Sequence, residues 1–388
     1  MKSVKLDFDR PNHAPSRDFA LASTVVLLLG LGFVTLYSGS SGFAERFFGN
    51  PLYFVGKQAI FALVGLLAFL LAVWIPLDFL RKHMHILVIG AIVLCLLTFF
   101  PFIGLTRNGA SRWIALGPLS FQPSELVKLI LPIYLAHLFT KKQERLDDVS
   151  NTLLPPVIVT ILFCSLIYLQ NDFSTAAFIA LVAFLLFFLS GVKLRHFFLV
   201  LILTVPLMFL LIFTREYRVM RLMSYIHPDS DPLGGGYQVN ASIQSIASGG
   251  LWGKGLGLGT RKIASVPEIH SDFIFSAFSE ESGFLGVILY LGVLVFFAWR
   301  VYRSVWLGGD AFRRLLACGL GSTIILQSLM NLGVVVGLLP ATGIPLPFFS
   351  AGGSSLVVTL VMAGLLVNAS ALDARLPANA SYREVFNG

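Results

Sequence analysis

Charged residues stand in sequence that is otherwise fit for a bilayer interior. Glu125 and Lys128 lie in the apolar stretch 123–139, and Asp272 opens another at 272–299. A charge at membrane depth costs several kcal/mol unless it is paired or faces a wet cavity, so each is a functional candidate. The i, i+3 spacing of Glu125 and Lys128 sets them on one helical face, close enough to pair. Pro132 lies one turn further along that face and predicts a kink. Asp272, Ser276, Ser279 and Gly283 fall within about 40° of one another at 100° per residue, a polar stripe headed by one carboxylate. Asp272 also sits where a plain helix N-cap would sit, so both readings stay open. Glu280 points to the flank of that stripe and Glu281 to the opposite side, which suits partners for basic residues.

Other polar groups add to the inventory. Thr323, Gln327 and Asn331, at i, i+4 and i+8, suit hydrogen bonding between helices. Ser350, Ser354 and Ser355 with Gly352 and Gly353 begin a further apolar run, where close backbone approach and hydroxyl donors would suit helix packing or an anionic headgroup. The run Gly249–Gly259 places glycines at alternate positions but has no strand–helix context for a nucleotide loop. Lys254, Arg261 and Lys262 beside it, and Arg107 and Arg112 earlier, are cations that would attract an anion. Basic groups, one carboxylate and a hydroxyl-rich helix start on a single membrane face suit a lipid-linked anionic substrate.

The elements that must hold these residues follow from composition. Of 388 residues, 56% are hydrophobic and 12% charged, with a mean hydropathy of +0.83. A soluble domain carries about twice that charged fraction, so a soluble fold is excluded. The chain divides into spans of about 20 residues: apolar segments at 19–37, 58–77, 84–101, 123–139, 153–169, 173–190, 196–213, 272–299, 315–337 and 351–372. The expected fold is an all-α polytopic membrane protein of about ten transmembrane helices, 19–372, between a cytoplasmic N-terminal tail, 1–18, and a cytoplasmic C-terminal tail, 373–388. With ten spans, seventeen Lys and Arg fall on the side of both tails and ten on the other, six of those in one long loop at about 214–271. That bias sets both termini in the cytoplasm and the loops 102–122, 214–271 and 338–350 outside it. The net charge of +8 is spread in short runs between spans, which excludes a nucleic-acid partner. Cys95, Cys164 and Cys318 all lie in apolar runs without CxxC spacing and read as small core hydrophobes. No secretory signal is visible, because the first apolar run is of full length.

Six blocks, in order, resemble the SEDS family (shape, elongation, division and sporulation). They are Asn108–Ile114; Phe121-Gln122-Pro123-Ser124-Glu125-Leu126-Val127-Lys128; Gly249–Gly257; Pro267-Glu268-Ile269-His270-Ser271-Asp272-Phe273-Ile274-Phe275; Glu280–Phe284; and Gly337–Ser350. The Asn-Gly-Ala-Ser-Arg-Trp block, the Gly-Leu-Gly-Leu-Gly stretch and the Thr-Gly-Ile-Pro-Leu-Pro run are more similar to the cell-division branch than to the elongation branch. Three runs depart from the family pattern: Gln170–Thr175, His270–Asp272 and Ser350–Gly353. Each keeps its acidic residue where the pattern has one.

The resemblance implies a peptidoglycan polymerase in the bacterial cytoplasmic (inner) membrane. It would join lipid II into β-1,4-linked glycan on the extracytoplasmic face, during septal cell-wall synthesis, and release undecaprenyl pyrophosphate. Asp272 would be the general base. Arg112, Lys128 and Arg261 would stabilise the leaving pyrophosphate, with Lys254 and His270 beside them. Glu125 would hold Lys128 and tune Asp272, while Asp172, Ser350 and Ser354 would line the cavity. A divalent cation, magnesium or manganese, fits such chemistry, although no ligand cluster in the sequence announces one. The expected partners are a class B penicillin-binding transpeptidase, other division proteins and membrane lipid. Three other readings stay open: a lipid II flippase, an elongation-type polymerase, and a division scaffold.

Overall fold

The computed structural model describes residues 17–107, 109–117, 119–143, 149–227, 235–259, 271–307 and 310–371. Most of both expected tails, and Arg261 and His270, lie outside these residues. Helices α1 (Phe19–Phe48), α2 (Tyr53–Trp74), α3 (Leu77–Lys82) and α4 (Met84–Leu97) lead into strands β1 (Gly104–Arg107), β2 (Ala110–Leu116) and β3 (Leu119–Phe121). Then come α5 (Pro123–Lys141), α6 (Leu154–Leu169), α7 (Phe173–Leu189), α8 (Leu194–Ile212), α9 (Glu216–Ile226) and α10 (Gly235–Gly249). The fold closes with α11 (Ile274–Leu307), α12 (Ala311–Val335) and α13 (Gly353–Ala369).

Each of the ten apolar segments is helical. Among the described residues six helices are long and apolar enough to cross a membrane, and α4, α7 and α13 are shorter apolar ones. The protein is a mostly helical, multi-pass membrane protein. Its core gathers on α5 and α12: two-thirds of the most apolar stretch of α12 is buried, against none of that in α8. Cys95, Cys164 and Cys318 are all buried and unbridged.

Two expected loops hold regular structure. Residues 102–122 contain an antiparallel sheet in the order β1-β2-β3, with Leu105 opposite Trp113 and Ile114 opposite Phe121, and a bulge after Leu105. The loop 214–271 contains α9 and α10. The strands are three to seven residues long, too short for a clear two-residue period. In α9, Tyr217, Met220, Met223 and Ile226 form an exposed apolar stripe at three-residue spacing.

Hydrogen bonds sort the helix ends into two faces. At one face Asp18 caps α1 by accepting from the Leu21 amide (2.9 Å) and binds Arg300 of α11 (Nε to Oδ2, 2.8 Å). There Asn368 of α13 also donates to Ala72 O (2.9 Å) at the end of α2. The sheet, the 170–172 turn and the start of α13 meet at the opposite face, where the candidate residues lie.

Candidate functional site

The site is built around α12. Lys128 and Glu125 of α5 pair at 2.6 Å with both side chains buried, as their spacing predicts. Lys128 Nζ also donates to Gln327 Oε1 on α12 (2.9 Å) and lies 5.8 Å from the centre of the Phe178 ring. Gln327 passes the connection on, its Nε2 donating to Pro345 O (2.9 Å). One turn further along α12, Asn331 Nδ2 donates to both Asp272 O (2.8 Å) and Ile344 O (2.9 Å).

The acceptors on the far side belong to residues 340–352, which form neither helix nor strand although Ile344, Leu346, Phe348 and Phe349 are buried. Non-helical backbone at membrane depth persists only where protein groups satisfy it. Here side chains supply the partners. Ser350 Oγ accepts from the Leu346 amide (2.8 Å) and donates to Ser271 O (2.6 Å), and Gln58 of α2 donates to Ser350 O (2.9 Å). Asp272 therefore sits on a turn held from two sides. It is half-buried, and its carboxylate lies over Gly343: a Cβ there would be 3.4 Å from Oδ2, on a backbone with φ of +74°.

A second cluster adjoins the first across the start of α13. Asp172 caps α7 through the Thr175 amide (3.4 Å) and lies 3.7 Å from Arg112 Nη1 of β2. Gln122 Nε2 donates to Asp172 Oδ2 (3.1 Å), and the Gln122 amide donates to Ser354 Oγ (3.1 Å). Asn171, in the left-handed region at φ 61°, gives its carbonyl to Arg112 and its amide nitrogen to Gly109 O (2.8 Å). Arg112 Nε is buried with no hydrogen-bond partner among the described residues. The cluster offers a cation with spare donor capacity on the central strand of the sheet.

Lys254 belongs elsewhere. α11 is broken at Gly283 (φ 66°, ψ −168°), and the glycine-rich loop fills the break. Lys254 N and Gly255 N donate to Glu280 O and Glu281 O, each at 3.0 Å, while Phe284 N donates to Gly250 O (2.9 Å). The Lys254 ammonium pairs with buried Glu280 (2.7 Å), and Glu281 accepts from Ser38 of α1 and from the Gly257 amide (3.1 Å). The loop is a wedge that replaces lost helical hydrogen bonds, and the ammonium of Lys254 is committed to neutralising a buried carboxylate.

The polar stripe below Asp272 is also structural. Ser276 and Ser279 are buried and bond to Phe273 O (2.7 Å) and Phe275 O (2.8 Å) of their own chain turn, and Gly283 is the break itself. Gln58 and Gln122 were not singled out from sequence. Gln327 and Asn331 were, as helix-packing groups, and the reach of Asn331 to Asp272 and of Gln327 to Pro345 adds to that reading. Buried amides at helical spacing are the signal that marks them. Among the described residues no group of three or more His, Cys, Asp or Glu could hold a metal ion.

A multi-pass helical protein with its buried ion pair, its half-buried carboxylate and its Arg–Asp cluster at one face defines a class that comparison identifies. The chain belongs to the FtsW/RodA/SpoVE family, described as cell cycle proteins, whose model matches residues 19–374. It is 36% identical over 353 residues to the probable peptidoglycan glycosyltransferase FtsW of Geobacter metallireducens, covering 91% of this chain and 94% of that one. It is 37% identical over 358 residues to the probable peptidoglycan glycosyltransferase FtsW of Nitrosomonas europaea, covering 91% and 92%. Among solved structures it is similar to a chain from work on the structural coordination of polymerization and crosslinking by a peptidoglycan synthase complex. That match has a TM-score of 0.75 and 29% identity and covers 92% of this chain and 98% of that chain. The rod shape determining protein RodA of Thermus thermophilus aligns with a TM-score of 0.67 and 27% identity over 92% of this chain and 97% of its own.

Proposed function

We propose that this protein is a peptidoglycan glycosyltransferase that polymerises lipid II into β-1,4-linked glycan for septal wall synthesis. The observation that supports it most is the anchoring of the Asp272 turn to the buried Glu125–Lys128 pair, within a chain of this family. The acceptor sugar hydroxyl attacks the anomeric carbon of the donor, a new glycosidic bond forms, and the bond to the pyrophosphate oxygen breaks. A sugar hydroxyl is a poor nucleophile at neutral pH, and a base positioned beside it takes its proton as the bond forms. Asp272 is that base, half-buried just before the start of α11.

The leaving undecaprenyl pyrophosphate gathers negative charge, which fixed cations in a water-poor site stabilise. Arg112 and Arg261 are the contacting cations. Lys128 is sealed between Glu125 and Gln327 and acts on the site by its field and by what it holds in place. Asp172, Ser350 and Ser354 line the same face. A divalent cation bound to the pyrophosphate would need one or two protein carboxylate oxygens, which Asp272 or Asp172 can offer; it would add charge stabilisation for the leaving group. Both termini lie in the cytoplasm, and a class B penicillin-binding transpeptidase cross-links the product. The solved neighbour's membership of a peptidoglycan synthase complex supports that partnership.

The test uses labelled lipid II with purified wild-type protein and Asp272→Asn, each with and without the cognate transpeptidase. Glycan ladders from wild type and none from a folded Asp272→Asn are expected. Ladders of wild-type length from the variant would refute the assignment of the base.

A further inference from the structure

We infer that Asn331 is a positioning residue for the polymerisation reaction, and that with Gln327 it couples the buried Glu125–Lys128 pair to the turn that carries Asp272. This rests on the polymerase reading above and deepens it. Asn331 is 1% exposed, and both protons of its amide are spent on backbone carbonyls, one on Asp272 itself and one on Ile344. Its Oδ1 is buried with no hydrogen-bond partner among the described residues. A buried acceptor left unmade costs about 1–3 kcal/mol, and an apolar residue here would spare that cost only by leaving the Asp272 and Ile344 carbonyls without their donor. What the amide supplies is a double donor: it locks the Asp272 turn to the irregular segment 340–352, whose own backbone bonds are few.

Gln327 makes the matching link one turn earlier. Its Oε1 accepts from Lys128 and its Nε2 donates to Pro345 O, one residue from Ile344. The two amides thus bind one short stretch of backbone on one side, and the ion pair and the Asp272 turn on the other. Neither reaches the carboxylate oxygens of Asp272. They set where the backbone below that carboxylate lies, and a base displaced by about 1 Å loses on the order of a hundredfold in rate. Other polar groups on the same helix serve a different purpose. Thr323 bonds to Gly319 O (2.7 Å) and Ser328 to Ile324 O (2.9 Å), within α12 alone.

The experiment compares wild type, Asn331→Asp, Gln327→Glu and Thr323→Val as full-length purified proteins. It measures kcat and KM for lipid II polymerisation and, independently of activity, hydrogen exchange of residues 271–276 and 343–350. Asn331→Asp keeps the shape but sets an oxygen in place of the amide nitrogen, facing the carbonyls of Asp272 and Ile344. It is expected to lower kcat about a hundredfold with KM within about twofold, and to raise exchange in both segments. Gln327→Glu keeps an acceptor for Lys128 and loses the donor to Pro345, so a smaller fall in kcat and faster exchange confined to 343–350 are expected. Thr323→Val changes neither readout.

Wild-type kcat in a folded Asn331→Asp, or unchanged exchange in both segments, overturns the inference. The exchange arm decides the question even if Asn331→Asp unfolds, because Gln327→Glu must then show the exposed segment by itself. A wild type that makes no glycan refutes the polymerase reading, while the exchange result still decides the clamp.

Discussion

Two lysine–glutamate pairs in this protein share the same chemistry and nearly the same length, 2.6 Å for Lys128–Glu125 and 2.7 Å for Lys254–Glu280. Their surroundings separate them. The first joins residues on one helix, has both side chains sealed, and leads through Gln327 towards Asp272. The second joins a loop to a helix break, keeps 29% of the lysine side chain exposed, and reaches on to Ser248 of α10 (3.3 Å from Glu280). A buried ion pair is weak evidence for stability, because desolvation offsets much of the attraction. The difference lies in where the onward contacts lead: through Gln327 of α12 to the segment beside the Asp272 turn in the first, and into α10 around the helix break in the second.

Substitutions can break that contrast or sharpen it. The largest effect is expected from Lys128→Met, which leaves Glu125 buried without its cation at a cost of about 3–5 kcal/mol. Thermal unfolding in detergent should show the loss, and glycan ladders should disappear. Adding Glu125→Gln should recover most of the stability and none of the activity. Gly253→Ala comes next, at about 3 kcal/mol, since its Cβ would lie 2.1 Å from Glu281 O on a backbone with φ of +78°. Lys254→Met should cost about 2 kcal/mol, less than Lys128→Met because water reaches the site. Turnover per folded molecule should stay near wild type, and a folded Lys254→Met without turnover would erase the distinction between the pairs. The smallest effect, about 1 kcal/mol, is expected for Asp18→Asn, which keeps the α1 cap and gives up the charge opposite Arg300. Activity should not change, because that end of the bundle is remote from Asp272.

The sequence carried the helices and part of the site. Each apolar run became a helix because length and hydropathy alone decide what spans a bilayer. The Glu125–Lys128 pair was legible because its partners are one turn apart, so the local helix suffices to bring them together. The pairing of Lys254 with Glu280 was not legible, for the opposite reason. The two are 26 residues apart in the chain, and only the break at Gly283 makes room for the loop between them. The stripe below Asp272 had the right angular spacing, yet serines on a helix bond back to their own carbonyls as readily as they face a cavity. The loop 338–350, rich in Pro and Gly, read as extracytoplasmic. Its burial depends on donors from α2 and α12 that no local pattern reveals.

The burial of all three cysteines has a practical consequence. Cys95, Cys164 and Cys318 sit at 0%, 8% and 7% exposure, so the native protein offers no reachable thiol to a water-borne reagent. Trp252→Cys in the wedge loop and Asp78→Cys at the start of α3 would each create a single addressable position without removing any native cysteine. Trp252 is 82% exposed and the Asp78 side chain 91%. A membrane-impermeant maleimide on intact cells should mark the first and reach the second only after permeabilisation, turning three inert sulfurs into a silent background on which the protein's sidedness can be read.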